Sequence, residues 1–559
     1  MLRRTTIAVA SGVAFAIFAG GAIAGVASPV DDFGSDAYPS KQEQRQELKD
    51  LRAQQEDLNA NGRLGNAIFL HPDGAGMNTW NTGRAYWAGP DGAFEFDALP
   101  EQATYRGHME DVFTGTSNGG ATVHAFGYKV SGPGSFGKDG DGSAVPPTDR
   151  FINGLSGYTG SVAREAANSG RPVGVINDGI VAEPGTGVFL AEVGNRANTT
   201  EIAQQMLLGR PGMDDTPVHV IMGGGESDFL PTDTARCASD QIRLDCRVHE
   251  QINGSGTTTT GLRTDGVNLL ERAESEGYTV IRTRAEFTNL KQEVDAQTDY
   301  APKVLGLFAA TDTFNDVPEE VLIANGFADS TIPVDDKRSN LLLWGDKEGT
   351  PGYNPPTFAE MNELGLTILD RVAENAEKPF FLISEPESTD NFGNNNNAIG
   401  VLNALKRTDD MIGVTRSFIA ENPRTLLLTA ADSDGGGMQA LSYNLGQEPA
   451  VVGTARTNPT GNSAADVNEP VDGLYGRASV PFRTAPDQFG STLPFAVLWA
   501  GTPDVGGGIV SRAEGLNSEL LRESFSERFD SVDVYRMLYV TLFNKALPYP
   551  EGQQAPTRG

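Results

Sequence analysis

The feature that most constrains the fold is a repeated unit: a short apolar run, a polar or glycine-rich turn, then a stretch with helical periodicity. From about residue 66 the runs read NAIFL, RPVGVI, VHVIM, KPFFLI, RTLLLTA and LPFAVLWA, and they end in HPDGAG, NDG, GGGES, SEPEST, ADSDGGG and GTPD. Amphipathic helices lie between them, among them TFAEMNELGLTILDRVAE, opened by the capping pair Thr357 and Glu360, and SVDVYRMLYVTLFNKAL near the end. This alternation predicts an α/β fold of three layers, a doubly wound and mostly parallel sheet with helices on both faces. Ligands of such sheets bind beyond the carboxyl ends of the strands, so the polar turns are the place to look for a site.

The ends of the chain carry a different message. Residues 1–24 contain Arg3 and Arg4, an Ala- and Gly-rich apolar stretch from Ile7 to Ile23, and the small-residue pattern Ala22-Ile23-Ala24. They read as a secretory signal peptide, with an uncleaved membrane anchor as the alternative; no later segment is apolar enough to span a membrane. Residues 25–65 are polar and charged and read as a tether or leading helix. Residues 66–550 then form the main domain, with the Gly-, Asn- and Pro-rich stretch 435–487 expected as an inserted cap over the site. Cys237 and Cys246 are the chain's two cysteines, and in an exported protein they predict a local disulfide. The expected location is periplasmic or secreted.

A formal net charge of −31 over 559 residues argues against nucleic-acid or anionic-membrane partners. Against that charge, carboxylates cluster at the strand ends: Asp73 after NAIFL, Glu385 and Asp390 after KPFFLI, Asp432 and Asp434 after RTLLLTA. Any one of them alone is a helix cap or a solvated turn. Converging on one rim they repel, and divalent cations with oxygen ligands are the simplest offset. A second element, TGTSNGGATVHAFG, sets Ser117 among glycines at the start of a helix, where a serine serves as an N-cap, a phosphate cradle or a nucleophile.

NAIFLHPDGAGM and TSNGGAT, with Ser117 and Thr122 at the expected spacing, resemble the opening strand and nucleophile segment of the alkaline phosphatase family. Further matches follow in the family's order: VHVIMGGGESDFLP, RTDGVNLL, KVLGLFA, PPTFAEM, KPFFLISEPESTD, TAADSDGG, QFGSTLPFAVLWAG and DVYRML, spanning about 66 to 547. The resemblance implies a phosphate monoester hydrolase acting on small phosphorylated substrates through a phosphoserine at Ser117. It implies that Arg196 grips two phosphate oxygens and that Asp73 is shared between two metals. Glu385 would hold magnesium together with Glu183 or Thr186, and Asp390 would hold a second ion. A homodimer is also implied.

The departures bear on the metal. Asn394 and Gln488 stand where the family places metal-binding histidines, Thr116 replaces the Asp before the nucleophile, and the segment around Asp432 and Asp434 has no His. The five histidines are His71, His108, His124, His219 and His249; His71 and His124 adjoin the Asp73 and Ser117 motifs, where a structural role and a role near the metal or substrate both fit. Carboxylate and amide oxygens suit magnesium or calcium, whereas zinc, the family's usual ion, favours imidazole. The expectation is a hard-cation enzyme. A catalytically inactive phosphate- or metal-binding homologue and a phosphodiesterase are the alternatives.

Overall fold

A computed structural model describes residues 64–132, 134–140, 150–234, 261–314, 316–324, 355–452, 471–523 and 529–550. The signal-peptide and tether readings of residues 1–63, and the pairing of Cys237 with Cys246, lie outside the described residues. Nine strands build the main sheet: β1 (Asn66–Leu70), β2 (Glu101–Thr104), β3 (Val173–Ile180), β4 (Val220–Gly224), β5 (Tyr278–Ile281), β6 (Lys303–Leu307), β7 (Phe381–Glu385), β8 (Thr425–Thr429) and β9 (Val510–Gly515). Their order across the sheet is β2-β9-β8-β1-β7-β3-β4-β6-β5. All the pairings from β8 to β5 are parallel, and β9 alone runs against its neighbours β8 and β2.

The central strands read as unbroken apolar runs because both of their faces are covered. Ala67 and Phe69 of β1, Phe381 and Ile383 of β7, and Leu426 and Leu428 of β8 enter one core. Ile68, Leu70, Leu382 and Leu427, one residue out of step, enter the other. Helices α1 (Met77–Trp87), α3 (Phe358–Ala376) and α5 (Ala398–Glu421) cover the second core; α2 (Ser117–Phe126) and α6 (Ser531–Phe543) cover the first. The expected capping pair opens α3, where the Thr357 hydroxyl accepts the Glu360 N–H at 3.2 Å. The three-layer, mostly parallel architecture expected from the sequence is therefore the one observed.

One strand falls elsewhere. The run LPFAVLWA, expected in the main sheet, forms Pro494–Leu498 of a separate five-stranded sheet, pairing antiparallel with Gln439–Ser442, Val471–Gly473 and Phe482–Arg483. An apolar run shows that a strand is buried on both faces and says nothing about which sheet it joins. Its partners come from the stretch expected as an insertion, so that unit extends past residue 487. Among the described residues no helix is long and apolar enough to cross a membrane.

Candidate active site

Four central strands, β8, β1, β7 and β3, deliver acids to one rim. His71 continues β1, its N–H bonding Ser384 O at 2.8 Å, and the chain then turns through Pro72 and Asp73 to Gly74 at φ +64°. A Cβ at Gly74 would lie 2.5 Å from Asp390 Oδ1, so the left-handed glycine lets the turn close on that carboxylate. The turn is fastened by Thr389, whose hydroxyl donates to Asp73 O, and by the Gly435 N–H, which bonds Gly74 O at 2.8 Å. Thr389 and Asp390 belong to α4 (Ser388–Asn394), and Gly435 belongs to the turn after β8.

The acids are buried and poorly satisfied. Asp73 and Glu385 are fully buried, and Glu387, Asp390 and Asp432 nearly so. Both carboxylate oxygens of Asp73 and of Asp432 lack a hydrogen-bond partner among the described residues, as do Glu385 Oε1, Glu387 Oε2 and Asp390 Oδ1. Burial, then the charges of Asp432 and Asp390, push Asp73 well above the usual carboxylate range. Burial raises Glu385 to about 7, and burial with the Glu385 and Glu183 charges raises Glu387 well above the usual carboxylate range. Asp432 moves down despite its burial, because Asp73 and His71 stabilise its charge.

Two groups of ligand atoms emerge, each lying within 4.8 Å of one another: His71, Asp73 and Asp432, and Asp73, Glu385 and Glu387. Asp73 belongs to both. Buried carboxylate oxygens without donors and an imidazole with both ring nitrogens unpartnered fit a divalent cation in each group. Thr186 stands beside the second group, its hydroxyl 3.2 Å from Glu385 Oε2, and Asn177 Nδ2 donates to the same oxygen. Glu183 is 20% exposed and pairs with Arg196, its Oε2 at 2.9 Å from Nη2.

The serine helix packs onto this cluster. Ser117 opens α2 and is 5% exposed, and the Thr116 hydroxyl caps the helix by accepting the Gly119 N–H at 3.1 Å. Thr116, which replaces the family's acid, thus has a local structural task. A Cβ at Gly120 would lie 2.6 Å from Asp432 Cβ, and one at Gly115 would meet Asp432 O, so the glycines flanking Ser117 set its turn against Asp432. The first N–H groups of a helix have no acceptor within it and carry its positive end, which favours an anion at this point. Asn118 anchors the turn by donating to Gly132 O and Ser135 O, each at 2.7 Å.

Arg196 keeps 43% of its side chain exposed. Burial would lower its pKa, yet Glu183, Glu387 and Asp73 together raise it, which places the guanidinium within the electrostatic reach of the cluster. Asn394 Nδ2 donates to Asp390 Oδ2 at 2.6 Å and to Asp504 Oδ1 at 3.2 Å. Asp434 is turned aside, with Oδ1 3.4 Å from the Thr79 hydroxyl, and burial lifts it to about 7.

Gln488, like Asp434, is an expected ligand that the structure does not bring to the cluster. Its backbone N–H bonds Asp91 at 2.8 Å in an exposed turn, because its segment joins the small sheet and is carried away from the rim. Three contributors escaped the sequence reading. Glu387 was visible as the second acid of SEPEST, Asp504 was read only as a turn residue of GTPD, and Asn177 of NDG carried no signal of its own. The other two histidines resolved here are placed apart: His219 joins the ladder through Val173 O at 2.8 Å, and His108 O accepts from Lys129 Nζ at 2.6 Å.

Comparison with solved structures agrees with this architecture. The alkaline phosphatase from the Antarctic bacterium TAB5 superposes with a TM-score of 0.52 at 16% identity, covering 85% of this chain and 97% of that one. A cold-active alkaline phosphatase from a psychrophilic Shewanella gives 0.51 at 19%, covering 85% and 99%, and the Thermus thermophilus alkaline phosphatase gives 0.52 at 16%, covering 86% and 91%. These likenesses establish the fold. Among curated protein sequences nothing matches. The family model described as alkaline phosphatase matches residues 64–468, which take in β1 to β8, the serine helix and the acids from Asp73 to Asp432, and the chain belongs to the alkaline phosphatase family.

Proposed function

We propose that the chain hydrolyses phosphate monoesters through a phosphoserine formed at Ser117, with divalent cations held by the buried acids. The observation that carries this reading is the packing of the Ser117 turn onto Asp432, itself beside Asp73 in a cluster whose oxygens lack donors. Bound cations would neutralise the acids, polarise the phosphoryl oxygens and favour the ionised serine.

The chain's own residues then have separable tasks. Thr116 and Asn118 hold the Ser117 turn rigid, which keeps the hydroxyl positioned for in-line attack. The N-terminus of α2 offers N–H groups to the phosphate dianion. Arg196 supplies a planar fork for two phosphate oxygens, with Glu183 fixing one of its nitrogens. Asn177 and Thr186 fix the Glu385 carboxylate. Oxygen donors at Glu385, Glu387 and Thr186 suit magnesium or calcium.

The test is trapping. Chelator-stripped protein is reloaded with magnesium, calcium, manganese or zinc, given a radiolabelled monoester and quenched in acid. Label on Ser117, absent from Ser117→Ala, supports the mechanism; full turnover by Ser117→Ala overturns it. The export reading of residues 1–24 would place this activity in the periplasm or outside the cell, and fractionation of cells expressing the full chain checks that separately.

A further inference from the structure

His71 is fully buried, and neither ring nitrogen has a hydrogen-bond partner among the described residues. A neutral imidazole carries one donor and one acceptor, and leaving both unmet in a dry interior is unfavourable unless something else binds them. The nearest carboxylate oxygens, Asp432 Oδ1 at 3.7 Å and Asp73 Oδ1 at 3.9 Å from Nε2, are beyond hydrogen-bond length. They lack donors of their own.

We propose that His71 is a nitrogen ligand of the cation held by Asp73 and Asp432. The spacing fits: with ligand distances of about 2.1–2.4 Å, atoms 3.7–3.9 Å apart subtend roughly 100–135° at an ion, the range of tetrahedral and distorted higher coordination. The sequence places both groups. His71 and Asp73 are two residues apart at the exit of β1, where alternate side chains share a face, and the His71 N–H is held in the ladder by Ser384 O. On its other side the ring meets His124 edge to face at 5.2 Å, and His124 is fixed by Tyr105, whose hydroxyl lies 2.7 Å from Nε2. Backbone and packing thus hold the imidazole facing the two acids.

The two groups sharing Asp73 are therefore chemically unequal. The His71 position offers one nitrogen and two carboxylates and suits manganese, cobalt or zinc. The Glu385–Glu387 position offers oxygen alone and suits magnesium. This inference rests on reading the cluster as a metal site, and the experiment separates the two. One equivalent of Mn(II) is added to the full chain in excess Mg(II), and pulsed EPR records nitrogen hyperfine coupling in protein carrying natural or 15N-labelled histidine. The expected result is a histidine coupling in the parent and in His124→Phe, lost in His71→Gln, with Mn(II) affinity falling about 10- to 100-fold in His71→Gln. Should His71→Gln fail to fold, retention of the coupling in His124→Phe still points to His71, because those two rings alone adjoin the acids among the described residues. Bound manganese without nitrogen coupling, or coupling that survives in His71→Gln, overturns the assignment and leaves the function proposal standing. Failure to bind manganese overturns both.

Discussion

Replacing Gly120 by alanine tests whether the serine helix really abuts the acid cluster. Two effects oppose each other. Alanine in a helix interior gains about 0.5–1 kcal/mol over glycine. The added Cβ, however, would sit 2.6 Å from Asp432 Cβ, well inside van der Waals contact, so helix and turn must part by roughly 1 Å. All ten residues of α2 are buried, so the helix has no free direction in which to move. Overpacking of this kind costs about 1–3 kcal/mol, which leaves a net loss of up to about 2.5 kcal/mol, centred near ~1 kcal/mol. The functional cost should be larger in proportion, because a displacement of about 1 Å at a reacting group reduces rate on the order of 100-fold. Gly413 in α5 is the internal control: its Cβ would meet only the Glu95 side chain, no closer than 3.4 Å, so Gly413→Ala should stabilise by about 0.5–1 kcal/mol. Chemical denaturation of both variants and kcat/KM on a chromogenic monoester decide the matter. If Gly120→Ala is as stable and as active as the parent, the close packing of Ser117's helix on Asp432 is wrong.

Two further outcomes concern groups remote from the acids. Asp409, 4% exposed and accepting the Phe96 N–H at 3.0 Å, is lifted by burial from 3.8 to about 7, so between those pH values the folded state keeps a proton that the unfolded state releases. Stability therefore falls as pH rises from about 4 to 7. Asp409→Asn should remove up to about 4 kcal/mol of that loss at pH 8 and change little at pH 4, a contrast read from unfolding curves at the two pH values. Lys129 is buried with Nζ 2.7 Å from Asp530 Oδ1, and Asp530 caps α6. Lys129→Met leaves that carboxylate buried and unpaired and should cost about 3–5 kcal/mol, with Asp530→Asn in the same chain restoring part of it.

The sheet was legible because strands covered on both faces are apolar through their middles, as Ala67–Leu70 of β1, Phe381–Ile383 of β7 and Leu426–Leu428 of β8 are. Four strands, β2, β5, β6 and β9, escaped, and for the two at the β2 edge the rule fails. EQAT of β2 lies at the sheet edge with a single buried residue, and β9 beside it alternates buried and half-buried positions. At the site, acids immediately following strands were legible because strand ends define the rim. Asp504 was not, since it reaches the rim through contacts made far apart in sequence: Val505 bridges to Asp434, and Asn394 reaches across to Asp504. His71 was visible as a neighbour of Asp73, but only the absence of any partner for its ring in the fold marks it as a candidate ligand.

The glycines explain how so many acids remain without donors. Many of the described lysines and arginines are paired with acids, yet among the described residues none lies within ion-pair distance of Asp73, Glu385, Glu387, Asp390 or Asp432. Beyond the neutral donors to one oxygen each of Glu385 and Asp390, the carboxylates are positioned by backbone that closes on them where a side chain would not fit, at Gly74 and Gly435 against Asp390, Gly115 and Gly120 against Asp432, and Gly185 against Glu385. Positioning by steric contact leaves the oxygens uncommitted, whereas positioning by salt bridges would have occupied them. A net charge of −31 repels a phosphate dianion, and the half-exposed Arg196 offers only one compensating charge near the cluster. On the proposed function, substrate affinity would be borne largely by cations on those free oxygens, so phosphate binding and cation binding should strengthen each other reciprocally.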